Sequence, residues 1–512
     1  FSESILARTQ YTLRLNPDNP VVFDEQAVAK KICQVARSWQ DDLHDALIEQ
    51  AGEERGNHQF HRYRDAFPAG YRENFTARTA VVDVQHMEHL CAQSTGQLAM
   101  SFYRELEEGD NELRFKLFNR DTILPLSDVI PVLENLGLRV LGEFPFRITQ
   151  ADGTAFWIHD FEFTFVGGAT LDIQEANELF RDAFKAVWSG QAENDGFNRL
   201  VLLAGLPWRD VALLRAYARY LKQIRLGFEL PYIASTLVAH ADIARELVRL
   251  FRTRFYLARK LSAEDLGEMQ QKLERAVLGA LDAVAVLNED RILRRYLDLI
   301  KATLRTNFYQ PDANGQSKDY LSLKFDPSAI PELPLPRPMF EIFVYSPRVE
   351  GVHLRGGKVA RGGLRWSDRE EDYRTEVLGL VKAQQVKNAV IVPVGSKGGF
   401  LPKQLPDRSD RNAWFEAGRD AYKEFIRALL GITDNLVEGQ VTHPADTIVW
   451  DGEDPYLVVA ADKGTATFSD VANAIAEAKD FWLDDAFASG GSKGYDHKAM
   501  GITAKGAWVS VQ

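Results

Sequence analysis

The sequence predicts a multidomain protein of mixed α+β and α/β class, and three observations carry that prediction. Its 512 residues are enough for about three or four domains at the usual ~100–200 residues each. The hydrophobic period changes along the chain, from strand-like alternation near 97–166 to helical spacing over 172–306. After a proline-rich stretch, strand and helix patterns alternate, as in an α/β domain. The expected domains are 1–95, of mixed α/β pattern; 96–170, a ββαββ module; 171–315, helical; and 316–512, α/β.

The N-terminal region opens on a β-type run, Tyr11-Thr12-Leu13-Arg14-Leu15. An amphipathic stretch over 24–50 follows, in which Val28, Ile32, Val35, Trp39 and Leu43 recur at helical spacing. The polar segment around 56–70 reads as a loop. In the next module, Leu98-Ala99-Met100-Ser101-Phe102-Tyr103 and Leu113-Arg114-Phe115-Lys116-Leu117-Phe118 read as strands around the turn residues Gly109-Asp110-Asn111. Ser127 is placed to cap a helix through Leu136 that Gly137 stops. Pro131 falls near its start, which limits the cost. Two strand-like runs, 138–148 and 156–165, complete the order ββαββ.

Helices are expected at 176–188, 211–225, 239–257 and 273–287. The basic cluster Arg245, Arg249, Arg252, Arg254, Arg259 and Lys260 is interleaved with acidic residues and reads as a solvated helix face. Residues 307–338 read as a linker, marked by Pro327, Pro331, Pro334, Pro336 and Pro338. Beyond it, 340–345, 351–354, 389–392 and 456–460 read as strands. Helices are expected at 370–386, 411–430, 469–481 and near the end.

The net charge of −12 argues against a nucleic-acid binder, whose phosphate contacts need a basic face. The only cysteines, Cys33 and Cys91, imply no disulfide framework and point to a reducing, cytoplasmic compartment. No run approaches the ~20 apolar residues of a membrane span, and no signal peptide is visible, so no membrane partner is expected. The missing initiator Met and the stop at Val511-Gln512 suggest an excerpt from a longer polypeptide. His58 and His61, and His86 and His89 near Cys91, have spacing that can place two imidazoles on one helix face. No Glu is placed as in a zinc protease, so they read as surface or core histidines and no metal is expected.

The most specific pattern lies between 361 and 399. Arg361-Gly362-Gly363-Leu364-Arg365-Trp366 is followed by a helix, then Lys387-Asn388, a short apolar run, and Gly395-Ser396-Lys397-Gly398-Gly399. Three cations are thus expected to converge on glycine turns around a short strand. Buried cations are costly unless something negative is bound, and the natural guest is a small dianion. A P-loop is excluded, because it needs Ser or Thr after the lysine and Gly398 follows Lys397.

This pattern resembles the substrate site of the amino-acid dehydrogenases, and its wording is similar to the large, NAD-specific bacterial glutamate dehydrogenases. The ββαββ module likewise resembles an ACT-type regulatory module, which can bind an amino-acid effector or serve only for assembly. The resemblance implies oxidative deamination of L-glutamate to 2-oxoglutarate and ammonia. Such chemistry needs a cation for the α-carboxylate, an acid–base group able to be neutral near pH 7, and a carboxylate to move protons at nitrogen. The resemblance assigns the α-carboxylate to Lys387 and Gln384 and catalysis to Lys397, whose pKa desolvation and neighbouring cations would lower. Asp462 is the closest match to the proton-shuttling aspartate; Lys463 and Thr465 depart from the usual apolar followers, and Asp451 is the competing choice. Arg361, with Gly362 and Gly363, stands where relatives acting on leucine carry an apolar residue. It argues for a second substrate carboxylate. Arg365 and Lys382 read as structural ion-pair residues.

The implied cofactor is NAD, yet no Gly-x-Gly-x-x-Gly occurs. In the resembled family a Rossmann domain follows the stretch seen here as Gly494 to Trp508. No cofactor-binding residue is therefore expected in this chain, which alone would not turn over. A homo-oligomer with amino-acid effectors is implied. The alternative is a non-catalytic amino-acid sensor retaining an idle dehydrogenase fold.

Overall fold

The computed structural model describes residues 24–92, 97–103, 112–165, 173–256, 263–387, 394–494 and 497–511. The chain divides into two compact units, Phe1–Pro125 with Leu141–Phe163, and Leu126–Val140 with Thr164–Gln512.

The first unit contains α1 (Glu25–Ala36), α2 (Trp39–Ala51), α3 (Glu53–Tyr63), α4 (Ala69–Asn74) and α5 (Ala77–Cys91). The stretch expected as one helix over 24–50 is two. Ser38 stands in extended backbone between them and forms a reciprocal capping box with Asp41. The loop expected at 56–70 is a second correction, since most of it belongs to α3 and α4. Gly56 is no breaker there. It marks where α3 meets α2, and a Cβ on it would lie 2.7 Å from Ile48 Cα. Leu43, Leu47, Tyr63, Tyr71, Val84 and Met87 pack with Phe118, Phe146, Ile148 and Ile158 in this unit's core.

β1 (Leu98–Tyr103) pairs antiparallel with β2 (Glu112–Arg120). After α6 (Leu126–Asn135) come β3 (Leu138–Thr149) and β4 (Ala155–Phe165), and the sheet runs β1-β2-β4-β3. The element order is thus the ββαββ read from sequence. Ser127 lies inside α6 rather than capping it, and Pro131 is internal; Gly137, at φ +92°, follows its end. The expected strand at 11–15 and turn at 109–111 lie outside the described residues.

In the second unit α7 (Ile173–Trp188), α8 (Leu200–Leu203), α9 (Trp208–Gln223), α10 (Leu230–Ala239), α11 (Ala241–Phe255), α12 (Ala263–Leu281) and α13 (Leu287–Ala302) form the helical region. The helix expected at 273–287 straddles the break between α12 and α13, and Ala239 belongs to α10 rather than α11. Arg245, Arg249 and Arg252 pair with Asp242, Glu246 and Asp210, as on an ion-paired helix face.

The rest of the unit is built on a mixed sheet. Its elements are β5 (Thr303–Thr306), β6 (Leu321–Phe325), β7 (Phe340–Tyr345), β8 (Val349–Arg355), β9 (Ala360–Trp366), α14 (Tyr373–Lys387), β10 (Val394–Pro402) and α15 (Arg411–Leu430). Then follow a hairpin, β11 (Asn435–Val437) and β12 (Gln440–Thr442), and β13 (Val459–Ala461), α16 (Ser469–Glu477), β14 (Ala488–Ser489), α17 (His497–Met500) and α18 (Ile502–Val511). Eight strands lie in the order β14-β13-β9-β10-β8-β7-β6-β5. From β10 through β8 to β5 the neighbours are antiparallel, whereas β10, β9, β13 and β14 run parallel.

β6 corrects the linker reading of 307–338, for all five of its residues are buried. Polar residues and nearby prolines disguise it. Inside the fold Ser322 donates to the Ala428 carbonyl at 2.8 Å, and Lys324 reaches Asp454 at 2.7 Å. The glycine turns expected at 362–363 and 395–399 are strands as well. Here glycine is required by close approach: a Cβ on Gly362 would lie 1.5 Å from the Ser396 carbonyl oxygen, and one on Gly399 would lie 2.5 Å from Val377 Cγ2. The strand expected at 389–392 lies outside the described residues.

One sheet face is covered by α15 and α16, where Leu364, Phe400 and Val459 meet Tyr422, Phe425 and Phe468. On the other face α9 presents Tyr220, whose ring lies 4.5 Å from Phe325 and 5.3 Å from Phe343, and α14 packs against β10 and β8. Among the described residues no helix is long and apolar enough to cross a membrane.

Candidate functional site

Side-chain alternation places the chemistry on one face of the sheet. Along β9, Leu364 and Trp366 turn to the α15 core, which sends Arg361, Gly363 and Arg365 to the α14 face. Along β10, Phe400 joins the α15 core, so Lys397 and Gly399 also face α14. The parallel register sets Gly395 beside Arg361 and Gly398 beside Leu364. Lys397 therefore stands next to Gly363, with Arg361 one step back along the same face.

Lys397 Nζ is ion-paired with Asp462 Oδ2, and the two side chains are only 10% and 15% exposed. Asp462 follows β13 directly, and β13 lies on the other side of β9. Gly363 makes this reach possible: a Cβ there would lie 2.8 Å from the Ala461 carbonyl and 3.2 Å from Asp462 Cβ. The turn Asp462-Lys463-Gly464-Thr465 is closed by Thr465 N–H on the Asp462 carbonyl at 3.1 Å, with Gly464 at φ +86°.

The followers that depart from the resembled pattern have local work here. Thr465 Oγ1 accepts the Asp462 N–H at 2.9 Å and donates to the Leu364 carbonyl at 2.7 Å, which ties the turn to β9. The Lys463 N–H donates to Asp462 Oδ1 at 2.6 Å. Burial disfavours the charged carboxylate, but Lys397, the Lys463 amide and Arg365 together outweigh it and hold Asp462 below the usual carboxylate range. The ionic partner described for Lys397 is thus a carboxylate, where neighbouring cations had been expected.

Arg365 extends the pair into a chain of alternating charge. Its Nη2 donates to Asp462 Oδ1 at 3.3 Å and its Nη1 to Glu376 Oε1 at 3.0 Å, while Ser367 Oγ donates to Glu376 Oε2 at 2.7 Å. Sequence reading anticipated Arg365 as an ion-pair residue and missed Glu376, Ser367 and the tie at Thr465. Glu376 carried no signal beyond an acidic residue in the first turn of α14, which is commonplace.

Arg361 is half-buried and has no ion-pair partner among the described residues. Gln384 and Lys387 both occupy the C-terminal part of α14, but their side chains lie outside the described residues. Asp451 is elsewhere: it pairs with Arg305 and Lys324 in a buried cluster that also holds Asp434, Asp454 and Arg355. Both its oxygens are committed there, and neither reaches Lys397. A face bearing one unpaired arginine, a lysine and a held carboxylate can bind an anion and move a proton beside it.

Comparison with known proteins gives the class first. Five family models match, all of glutamate dehydrogenases: "Bacterial NAD-glutamate dehydrogenase, catalytic domain" over residues 276–512, helical motif 3 over 192–257, the ACT3 domain over 97–176, helical motif 2 over 46–90 and the ACT2 domain over 1–40. Among curated proteins, the NAD-specific glutamate dehydrogenase of Pseudomonas aeruginosa is 66% identical over 512 residues, covering 100% of this chain and 32% of its own length. That of Halomonas elongata is 56% identical (100% and 31% covered), and that of Mycobacterium tuberculosis 46% (94% and 30%). The chain belongs to the bacterial NAD-specific glutamate dehydrogenase family. It spans about a third of the length of the relatives it matches.

Proposed function

We propose that this chain carries the regulatory and substrate-binding part of an enzyme that converts L-glutamate to 2-oxoglutarate and ammonia with NAD. The observation carrying the reading is the Lys397–Asp462 ion pair on the same sheet face as Arg361, which has no carboxylate of its own among the described residues. A five-carbon diacid fits such a face. Arg361, beside Gly362 and Gly363, takes the side-chain carboxylate through its planar fork. Gln384 and Lys387, on α14, take the α-carboxylate. Once the α-carbon is oxidised to an imine, Lys397 removes a proton from the attacking water and steadies the carbinolamine oxygen. Asp462 accepts and returns the proton at nitrogen as ammonia leaves.

No Gly-x-Gly-x-x-Gly stands between a strand and a helix, so the roles assigned here are confined to substrate binding and proton transfer. In this reading the domains are 1–95, 96–170 with ACT-like character, 171–315 and 316–512. The whole protein is a cytoplasmic homo-oligomer responsive to amino-acid effectors.

The test is Lys397→Ala in the full-length protein, with glutamate-dependent NADH formation followed by absorbance. Turnover should fall by roughly 10²–10⁴-fold, the usual worth of an acid–base group, with the circular dichroism spectrum retained. Unchanged turnover in a folded variant would overturn the assignment.

A further inference from the structure

Away from Lys397, two cavities of about 480 and 810 Å³ share a wall formed by Pro311, Lys318, Ala478 and Lys479. This wall joins the loop between β5 and β6 to the chain just past α16. Arg427, on α15, lines the larger cavity.

Neither cation of this wall, Lys318 or Lys479, is ion-paired among the described residues. Lys318 is half-buried, and its Nζ donates to Gln310 Oε1 at 2.6 Å. Gln310 is itself pinned, its amide donating to the Gly431 carbonyl and Thr447 Oγ1 at 2.7 Å each. A neutral acceptor therefore fixes Lys318 and leaves two ammonium protons to give. The side chains of Lys479 and Arg427 make no ion pair or hydrogen bond among the described residues, and both are exposed to an approaching solute. Several buried cations of this unit are matched, Lys324 and Arg355 by Asp454, Arg374 by Glu341 and Lys403 by Glu350, whereas Arg209, like Lys318, is held by neutral oxygens alone.

The fields of these groups agree. Burial, then Lys479, push Lys318 down to about 8; crowding of its ammonium by surrounding protein, then Arg427, lower Lys479, although the residue as a whole stays open to solvent. Asp446 offsets part of the field at Lys318 without pairing with it. Asp446 and Asp480 also line the smaller cavity, and Asp312 and Asp319 the larger, with Asp319 paired to Arg348; these carboxylates favour a guest of low charge.

We propose that Lys318 and Lys479, with Arg427 beside them, bind a small oxyanion, a carboxylate or a phosphate, between these two cavities. An oxyanion takes the free ammonium protons and relieves the mutual repulsion of the three cations. The site is independent of the reaction assigned to Lys397 and Asp462.

The test uses the whole chain, acetylated at lysine under limiting reagent near pH 8 and read by mass spectrometry. Inorganic phosphate and succinate are the probes, each compared with sodium chloride at equal ionic strength. At about ten times its Kd a bound anion occupies ~90% of sites, so labelling of Lys318 and Lys479 should slow about tenfold. Exposed Lys272 should not change. Protection by phosphate alone identifies a phosphoryl ligand, and protection by succinate alone a carboxylate. Lys479→Met should abolish protection at Lys318. Arg427→Met, at an exposed position, should weaken it and serves if the first variant fails to fold. Equal protection by chloride, or none by either probe, overturns the proposal.

Discussion

Replacing Arg365 with Met keeps the length of the side chain and removes the charge between Asp462 and Glu376. Arg365 Nη2 stands 3.3 Å from Asp462 Oδ1. Two unit charges at that separation interact by ~5 kcal/mol at an effective dielectric of about 20 and by ~1.3 kcal/mol in water. These side chains are 20% and 15% exposed, and Glu376 already neutralises part of the guanidinium field. Burial favours the larger figure and the Glu376 charge the smaller, so the pair is worth between ~1.3 and ~5 kcal/mol. Arg365 lowers the Asp462 pKa, so its loss should raise that pKa. The acidic limb of kcat/KM for glutamate oxidation should move upward with it. The carboxyl ¹³C resonance of Asp462, assigned through its loss in Asp462→Asn, reports the shift without turnover. Glu376→Gln is the control of opposite sign: it leaves Arg365 less compensated and should move the Asp462 pKa downward. An unmoved resonance in Arg365→Met, or shifts of one sign in both variants, would refute the charge chain.

Four further substitutions have expected outcomes. Arg361→Leu should lower the ratio of kcat/KM for glutamate over leucine by at least about 10²-fold, since the second carboxylate loses its partner; an unaltered ratio would remove Arg361 from the site. Gly362→Ala should lower the melting temperature, because its Cβ meets the Ser396 carbonyl and overpacking costs about 1–3 kcal/mol or more. Gly379→Ala, on α14 with nothing within 4 Å, should stabilise by about 0.5–1 kcal/mol in the same thermal scan. Asp454→Asn should cost about 3–5 kcal/mol by leaving Arg355 and Lys324 without their buried partner. Burial opposes ionisation of Asp454, but Arg355 and Lys324 prevail and depress its pKa from 3.8 to about 2. A carboxyl depressed in the folded state contributes fully above its unfolded pKa and loses that contribution as pH falls through the folded one. The gap between wild type and variant in urea unfolding should therefore be full near neutrality and close as pH falls from about 4 toward 2.

Much of the architecture was legible because long periodic segments declare themselves. The ββαββ order, the helical region, α14 and α15 were all readable from local pattern. What failed did so for local reasons as well. Gly56, Gly362 and Gly399 resemble breakers in sequence, and each is instead a point of close approach. β6 alternates as a strand should, yet its polar residues find partners only inside the fold. Within the candidate site, residue types and order were visible, and the choice between Asp462 and Asp451 could be posed but not weighed by geometry.

By itself, the sequence determined the chemical inventory and the family: which cations, glycines and carboxylates occur, and in what order. Only the tertiary structure decided who meets whom. Asp462 and Arg365 are 97 residues apart in the chain, and no local period relates them. Parallel pairing of β9 with β10 and β13 brings them together, and the same folding carries Asp451 into a separate buried cluster. Side-chain period follows from backbone geometry a few residues long, whereas a charge's partner depends on which strands become neighbours.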